Sequence, residues 1–553
     1  MMHYKLDAMS AVHKTEMRDL IMRGNPDDEH TQSALVNAGV RPYTPGQAGE
    51  ILDYCMEDVK ATESLFVAMF TELAEGVAQT ITDQGRHGDD DASPPSCAEE
   101  LFEITLKDKL IQWITRGNYT RAVAYWEYNG IPVDVPAYER LVRNRKVLQN
   151  KLIKSVEDEY HFGAHVQKKN GDMSFNKAGF DALVTAHGLQ DDWPLSPSGK
   201  DFSAADEVFK EMSRRYPDFK PLYDVRKFVL TLRSFELFIG PDGRSRVFPD
   251  PFHTNTGRNN PRNSNFLFTL PKWARPLMKP AEGRTLAYVD LKSAEIDIAA
   301  GLSGDVNMKK IYSDSLLPGG VDCYVGFAKL AGAIPEGGTK ASHPKERALY
   351  KSSMLAAQYG QTPEGFALHN DLPLRVAQAV HEKHHAVYAH YWAWIENEVI
   401  TAGILGHMDT KWGWVRQVSA DDAEANTLLN FPIQAGCGEI MRLAACYMLD
   451  EGIILCACVH DAVLIEAPID EIEAAVATCQ DCWRRASAAY LDGFELGSDA
   501  KIVGYPARWG DNHEEDEEDI ALWGRIQKLL DEIEAPAPEV PAQAILELSG
   551  ESR

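Results

Sequence analysis

From Ile453 to Ile465 the chain reads IILCACVHDAVLI. Eleven of these thirteen residues are apolar, and the other two, His460 and Asp461, are adjacent. An apolar run of this kind reads as buried strand. A carboxylate inside it is costly unless a positive group pairs with it. Any fold for this chain must therefore supply Asp461 with countercharge, and a site able to do so is expected around it.

The same oddity recurs upstream. In TLAYVDLKSAEIDIAAGLSGD a short apolar strand, Leu286 to Val289, ends at Asp290, and a helical pattern follows that carries Glu295. Either Asp by itself could simply cap a turn. Two strand-borne carboxylates together could converge on divalent cations, which would provide the missing charge. A pair of Mg²⁺ ions roughly 3.5–4 Å apart is a common device for in-line phosphoryl displacement, and Mg²⁺ needs only one or two carboxylates besides substrate phosphates. Between these sites lies SHPKERALYKSSMLAAQYG. Pro344 and Glu346 suit a helix start and Gly360 a stop. Arg347, Lys351, Leu355 and Tyr359 are spaced by four, so they lie on one slowly winding face. The cations could grip a triphosphate while Leu355 and Tyr359 offer packing surface. An ordinary amphipathic helix with solvated cations is the plainer reading.

With 553 residues the chain is long enough for several domains. Its net charge of −27 argues against nucleic acid only until the charge is mapped. Residues 511–553 hold thirteen Asp/Glu against three Lys/Arg, a net −10, and end in Pro/Ala-rich sequence, so a flexible acidic tail is expected. Elsewhere RLVRNRKVLQNKLIK carries Arg140, Arg143, Arg145, Lys146, Lys151 and Lys154 and no acid, and RRYPDFKPLYDVRKFVLTLR is basic with interleaved aromatics. Phosphate contact needs such local charge, although both could be solvated helix faces. No apolar run approaches the ~20 residues that span a membrane. MMHYKLDAMSAVHKTEMRD lacks a signal-peptide core, and the nine cysteines are irregularly spread, so a cytoplasmic location is expected. Cys456, Cys458, Cys479 and Cys482 could suggest zinc, but buried core thiols are the preferred reading.

The three segments, in this order, resemble family-A DNA polymerases of the bacterial polymerase I and phage type. Asp290 and Glu295 match the Asp-x-x-x-x-Glu of motif A. Arg347, Lys351, Tyr359 and Gly360 match motif B, and His460–Asp461 match the turn of motif C between two apolar strands. TGR (256–258), VDCY (321–324), GHMDTKWGWVR (406–416) and NFPIQAGCGEIMRLA (from Asn430) resemble flanking segments of the family, over about 110–505 in all.

The resemblance implies an α+β, right-hand polymerase fold of thumb, palm and fingers. It implies thumb and connecting helices over 101–244, palm over 245–305 and 406–510, and fingers over 306–405. It also implies roles. Asp290 and Asp461 would ligate two Mg²⁺, with Mn²⁺ as a substitute. Lys351 would protonate the leaving pyrophosphate and Arg347 hold the triphosphate, with Tyr324 nearby. Glu295 would exclude a 2′-hydroxyl, Leu355 and Tyr359 would face the incoming nucleotide, and Arg258, His460, Asn430 and Gln434 would contact primer–template DNA. The sequence departs from the family at Ala462, where an acid is usual, and at Leu355, where Phe or Tyr is usual.

LDYCMEDVKATESLF (52–66) is similar to the last motif of the family's 3′–5′ exonuclease, with Tyr54 and Asp58 on one helix face. The strand-borne Asp-x-Glu of that domain has no counterpart. Residues 1–80 are therefore expected to be a mostly helical exonuclease remnant, inactive unless a separate chain completes it, followed by an acidic linker over 81–100. The expected function is template-directed DNA synthesis from dNTPs, in replication, possibly by a phage, or in repair. A single-subunit RNA polymerase shares much of this pattern, but Glu295 would clash with a ribose 2′-hydroxyl. A catalytically inactive nucleic-acid-binding scaffold is the third reading, and retention of Asp290, Lys351 and Asp461 speaks against it.

Overall fold

The computed structural model describes residues 96–535 except 248, 262–265, 318, 419–425 and 512–516. The expected exonuclease remnant, with Tyr54 and Asp58, lies outside the described residues, as does most of the expected linker. The described helices of eight or more residues are, in chain order, α1 Ser96–Asn129, α2 Val135–Arg143, α3 Arg145–Tyr160, α4 Lys177–Ala186, α5 Asp206–Arg215, α6 Lys220–Arg233, α7 Ala294–Ser303, α8 Val306–Leu316, α9 Cys323–Leu330, α10 Pro344–Gln358, α11 Leu374–Val387, α12 Ala389–Leu405, α13 Phe431–Asp450, α14 Ile472–Tyr490 and α15 Glu517–Glu534. None of them is long and apolar enough to cross a membrane.

The chain forms two compact units. The first runs to Ile131 and includes Ile239–Asn263 and Pro280–Tyr505; the second comprises Pro132–Phe238, Ser264–Lys279 and the chain from Pro506. α1 belongs with the first unit because Tyr119, Ala122, Val123 and Trp126 are buried there and Asn129 donates to the Leu455 carbonyl at 2.8 Å.

At the centre of the first unit is a four-stranded antiparallel sheet. Its strands are β1 Arg284–Leu291, β2 Ile454–Val459, β3 Ala462–Pro468 and β4 Ser498–Gly504, in spatial order β4-β1-β3-β2. The apolar run that opened the sequence reading is the β2–β3 hairpin, with His460 and Asp461 as its two-residue turn. β1 extends one residue past Asp290, so that carboxylate sits within the strand and not just beyond it. Continuous apolar character along β3 reflects burial of nearly every position, Ala462 to Ala467. α13 packs on β2 and α14 on β1. Cys456, Cys458, Cys479 and Cys482 are buried free thiols.

In the second unit the two basic runs turn out to be neither bare nor merely solvated. The aromatic-rich run becomes α6 and the short turn before it, burying Phe219, Leu222, Tyr223, Val225, Phe228 and Leu232, while Arg226 donates to the Ala204 carbonyl at 2.7 Å. The other run forms α2 and α3, and its cations are engaged within the unit. Arg140 pairs with Asp531 and Glu534, each at 2.6 Å, Arg143 with Glu534, Lys151 with Glu532, Lys146 with Asp172 and Lys154 with Asp158, while Arg145 donates to the Arg233 carbonyl. The partners Asp531, Glu532 and Glu534 are on α15, inside the stretch expected to be a flexible tail. That expectation fails for 517–534 because net acidity masks an amphipathic pattern: Trp523, Ile526 and Leu530 recur at three- and four-residue steps and are all buried. Burial of these three side chains, each about 1.5–3 kcal/mol or more, outweighs largely exposed ion pairs of about 0–1 kcal/mol. Trp523→Ala is therefore expected to destabilise this unit by about 3–5 kcal/mol, and Asp531→Asn, at a mostly exposed carboxylate, by less than about 1 kcal/mol. Denaturant unfolding of the two variants checks the order.

Candidate active site

The sheet register brings the two odd carboxylates together. Asp290 faces Ala462 across the β1–β3 ladder, and the Leu291 amide donates to the Asp461 carbonyl at 3.1 Å. His460, which leads into Asp461, has φ +54°, in the left-handed region that a residue with a Cβ seldom adopts. Ser293, between Asp290 and Glu295, is also left-handed at φ +47°. Such strain costs of order 1–3 kcal/mol and clusters at functional sites. Here it turns the chain sharply from β1 into α7, so that Glu295 enters the first helical turn on the same side as Asp290.

Asp290, Glu295, His460 and Asp461 line a cleft of about 470 Å³, and Arg258, Tyr324, Lys351 and Leu355 are also in its wall. α10 begins at Pro344 as expected, and its four-residue spacing does present Lys351 and Leu355 to the same space. Lys351 Nζ lies 5.5 Å from the centre of the Tyr324 ring and the Arg347 guanidinium 5.3 Å from it. Arg347 is not part of the cleft wall. It is drawn to Asp322 at 2.7 Å, whose other oxygen caps α9 through the Tyr324 and Val325 amides. Burial pushes the Tyr324 phenol up to about 12.

At the far end of α10 the Tyr359 hydroxyl donates to Glu295 Oε1 at 2.6 Å and accepts from Gln434 Nε2 at 2.8 Å. Burial and the Glu295 carboxylate raise the Tyr359 phenol to about 12, so it stays a donor at neutral pH. This chain of bonds fixes the Glu295 carboxylate at the mouth of the cleft. Arg258 Nε donates to the Gln434 carbonyl at 3.1 Å. Asn430 is buried at the start of α13, its side-chain amide has no hydrogen-bond partner among the described residues, and it does not line the cleft.

Sequence reasoning passed over several charged groups. Asp322 is one. Glu439 and Arg442, three apart on the otherwise apolar α13, are another, and that spacing of opposite charges was the available signal for a buried pair. Asp297 is a third: two residues after Glu295 it faces the opposite way, fully buried with both oxygens unpartnered, and burial drives its carboxyl far above the ordinary range.

Burial also pushes the Asp461 carboxyl up, against the opposing pull of a backbone hydrogen bond, Arg258 and His460. The nearby positive groups therefore do not balance its charge. Among the described residues no cluster of three or more His, Cys, Asp or Glu side chains could hold a metal ion. A divalent cation here would rest on Asp290 and Asp461 with oxygens from substrate and water, a donor set that suits Mg²⁺.

Residues 203–497 match the model of DNA polymerase family A. The chain belongs to this family. It is 23% identical over 463 residues to the thermostable DNA polymerase I of Thermus thermophilus, covering 78% of this chain and 53% of that protein. It is 23% identical over 451 residues to DNA polymerase I of Chloroflexus aurantiacus, covering 72% and 45%, and 25% identical over 258 residues to the DNA polymerase of Mycobacterium phage L5, covering 46% and 39%. The chain thus spans about half the length of the bacterial relatives. Its fold matches the polymerase domain of Pol1 from M. smegmatis, solved in complex with DNA primer-template and dNTP, with a TM-score of 0.55, 17% identity and 78% of each chain covered.

The sign of the Asp461 shift gives a test. A carboxyl raised by burial binds more protons folded than unfolded, so its contribution favours the fold at low pH and is lost as pH rises through its unfolded and then its folded value. Asp461→Asn removes that loss. Without divalent cation, the variant is expected to melt higher than the parent at neutral pH, with the gap closing towards acid pH. Thermal unfolding at several pH values in chelator measures it.

Proposed function

We propose that this chain is a template-directed DNA polymerase that extends a primer 3′ end with dNTPs, in replication or repair, using divalent cations held at Asp290 and Asp461. The observation that carries this reading is the single cleft in which two inward carboxylates face Lys351 and Tyr324, while Glu295 is tied down at its mouth. Membership in family A and the polymerase names of its relatives support the same reading. Mg²⁺, when bound between the two carboxylates, would supply the positive charge that activates the primer hydroxyl and stabilises the departing oxygens.

The remaining steps belong to this chain's own side chains. Lys351 Nζ, on the cleft wall, would bind the triphosphate and give a proton to the leaving pyrophosphate. Arg347 would add charge once released from Asp322 to the more highly charged triphosphate. Leu355 offers an apolar wall to the sugar. Glu295, held through Tyr359 and Gln434, would meet a ribose 2′-hydroxyl with a fixed carboxylate, which favours dNTPs and disfavours the RNA-polymerase reading. Arg258 and His460 flank Asp461, where the primer end would lie.

Primer extension with purified protein and Mg²⁺, dNTPs against rNTPs, tests this directly. Extension with dNTPs is expected. Asp290→Asn and Asp461→Asn should each reduce it by about a thousandfold or more, in line with a transition-state loss of roughly 4 kcal/mol, while primer-template affinity changes little because phosphate contacts dominate it. Near-parental extension by Asp461→Asn would overturn the assignment. Glu295→Ala should raise rNTP incorporation at least tenfold, about 1.4 kcal/mol of discrimination, and an unchanged dNTP/rNTP ratio would remove Glu295 from the gate.

A further inference from the structure

Arg442 is 1% exposed, one of the largest fully buried side chains in the molecule, and the reading above gives it no role. It sits on α13 about two turns beyond Gln434. Its guanidinium meets the Glu439 carboxylate at 2.8 Å, and the other oxygen of Glu439 accepts from Arg116 at 3.1 Å. Two guanidinium groups thus share one buried carboxylate, leaving an excess positive charge that helix packing alone does not require. Burying ions this way costs several kcal/mol each before pairing. Arg116 also donates to the Trp412 carbonyl at 2.9 Å, while Arg442 is turned to the segment before Arg258. Arg442 NH1 donates to the Gly257 carbonyl at 2.6 Å, and its Cζ lies 5.4 Å from the centre of the Phe252 ring and 5.6 Å from that of Trp414.

Gly257 immediately precedes Arg258, which reaches the cleft beside Asp461. The turn from Thr254 to Arg258 is held from several sides. Thr254 Oγ1 accepts from the Arg258 amide at 2.8 Å, Trp414 Nε1 donates to the Asn255 carbonyl at 2.9 Å, and Gly257, at φ +68°, lies so close to Trp414 that a Cβ would approach its ring to 2.8 Å. The peptide unit that carries Arg258 is thus held at both ends, its carbonyl by Arg442 and its amide by Thr254, and Arg442 is the partner that reaches it from α13.

We infer that Arg442, backed by Glu439 and Arg116, is a positioning residue that aims Arg258 into the cleft, and so acts on the primer end and not on nucleotide binding. This rests on the polymerase reading. The parent protein must therefore extend a primer under the assay conditions, and its failure to do so would count against that reading alone.

Arg442→Lys keeps the positive charge beside Glu439, which favours a surviving fold, but one ammonium cannot hold both Glu439 and the Gly257 carbonyl in the guanidinium's geometry. Gly257→Ala disturbs the same turn from the Trp414 side and leaves the buried charges intact. Each is expected to lower kcat of single-nucleotide extension about tenfold, measured per active site, with KM for dNTP within twofold of the parent and thermal unfolding still cooperative. Because the effect passes through Arg258, Arg442→Lys combined with Arg258→Ala should be no slower than Arg258→Ala alone. The inference is overturned if Arg442→Lys extends primers at the parental rate, if its defect appears in KM for dNTP, or if the two defects multiply in the double variant. If Arg442→Lys fails to fold, Gly257→Ala decides by the same three readings.

Discussion

The pairing of β1 with β3 is the constraint on which the candidate site depends. One antiparallel register, with Asp290 opposite Ala462, places two carboxylates from distant parts of the chain at the same end of one sheet. A slip of one residue would send every side chain of β1 to the other face. The ladder runs unbroken in that register from Arg284 opposite Pro468 to Asp290 opposite Ala462. The apolar residues that make the hairpin stable are also those that strip water from Asp461. The carboxyl's raised pKa is therefore a consequence of the same packing that positions it.

Around that fixed end the other groups arrive from elements that pack on the sheet or beside it. They are held by one another and not by the solvent. Tyr324 underlies Arg347 and Lys351 of α10, Asp322 links α9 to Arg347, and Tyr359 joins Glu295 to Gln434. Several of these bonds use groups that a phosphate or sugar would also contact. Nucleotide binding would thus exchange internal partners for substrate, which limits the desolvation cost of each cation. The strained turns at Ser293 and His460 fit this picture, since each reverses the chain within a residue or two of a carboxylate.

The second unit shows how charge misleads when read without periodicity. The acidic stretch after residue 511 read as a flexible tail, and the basic stretch after residue 139 as a phosphate-contacting or solvated surface. They meet each other instead, Arg140 with Asp531 and Glu534 and Lys151 with Glu532, because Trp523, Ile526 and Leu530 anchor α15 to the unit's apolar core. Opposite charges then follow the apolar contact at little further cost. Of the aromatic residues interleaved with cations in 214–233, Phe219, Tyr223 and Phe228 are likewise buried.

Legible in the sequence alone were the features that repeat locally. The apolar strands, the helix start at Pro344 and the four-residue stripe from Arg347 to Tyr359 follow from spacing within one segment, and the ordered motifs from resemblance to a known family. These carried the family and most of the cleft wall. What tertiary structure decided was direction and partnership. Asn430 and Gln434 are one helical turn apart in a single motif, yet packing buries the first and leaves the second free to bond Tyr359. Arg347 and Lys351 share a stripe, yet Asp322 draws the first out of the cleft wall. Glu439 and Arg442 drew no reading from the sequence, and only the fold places the Gly257 carbonyl against Arg442. Periodicity reports which face of an element is apolar, because burial acts on each residue separately. A hydrogen bond or ion pair depends on the separation of two atoms from remote segments, and that distance exists only once the chain has packed.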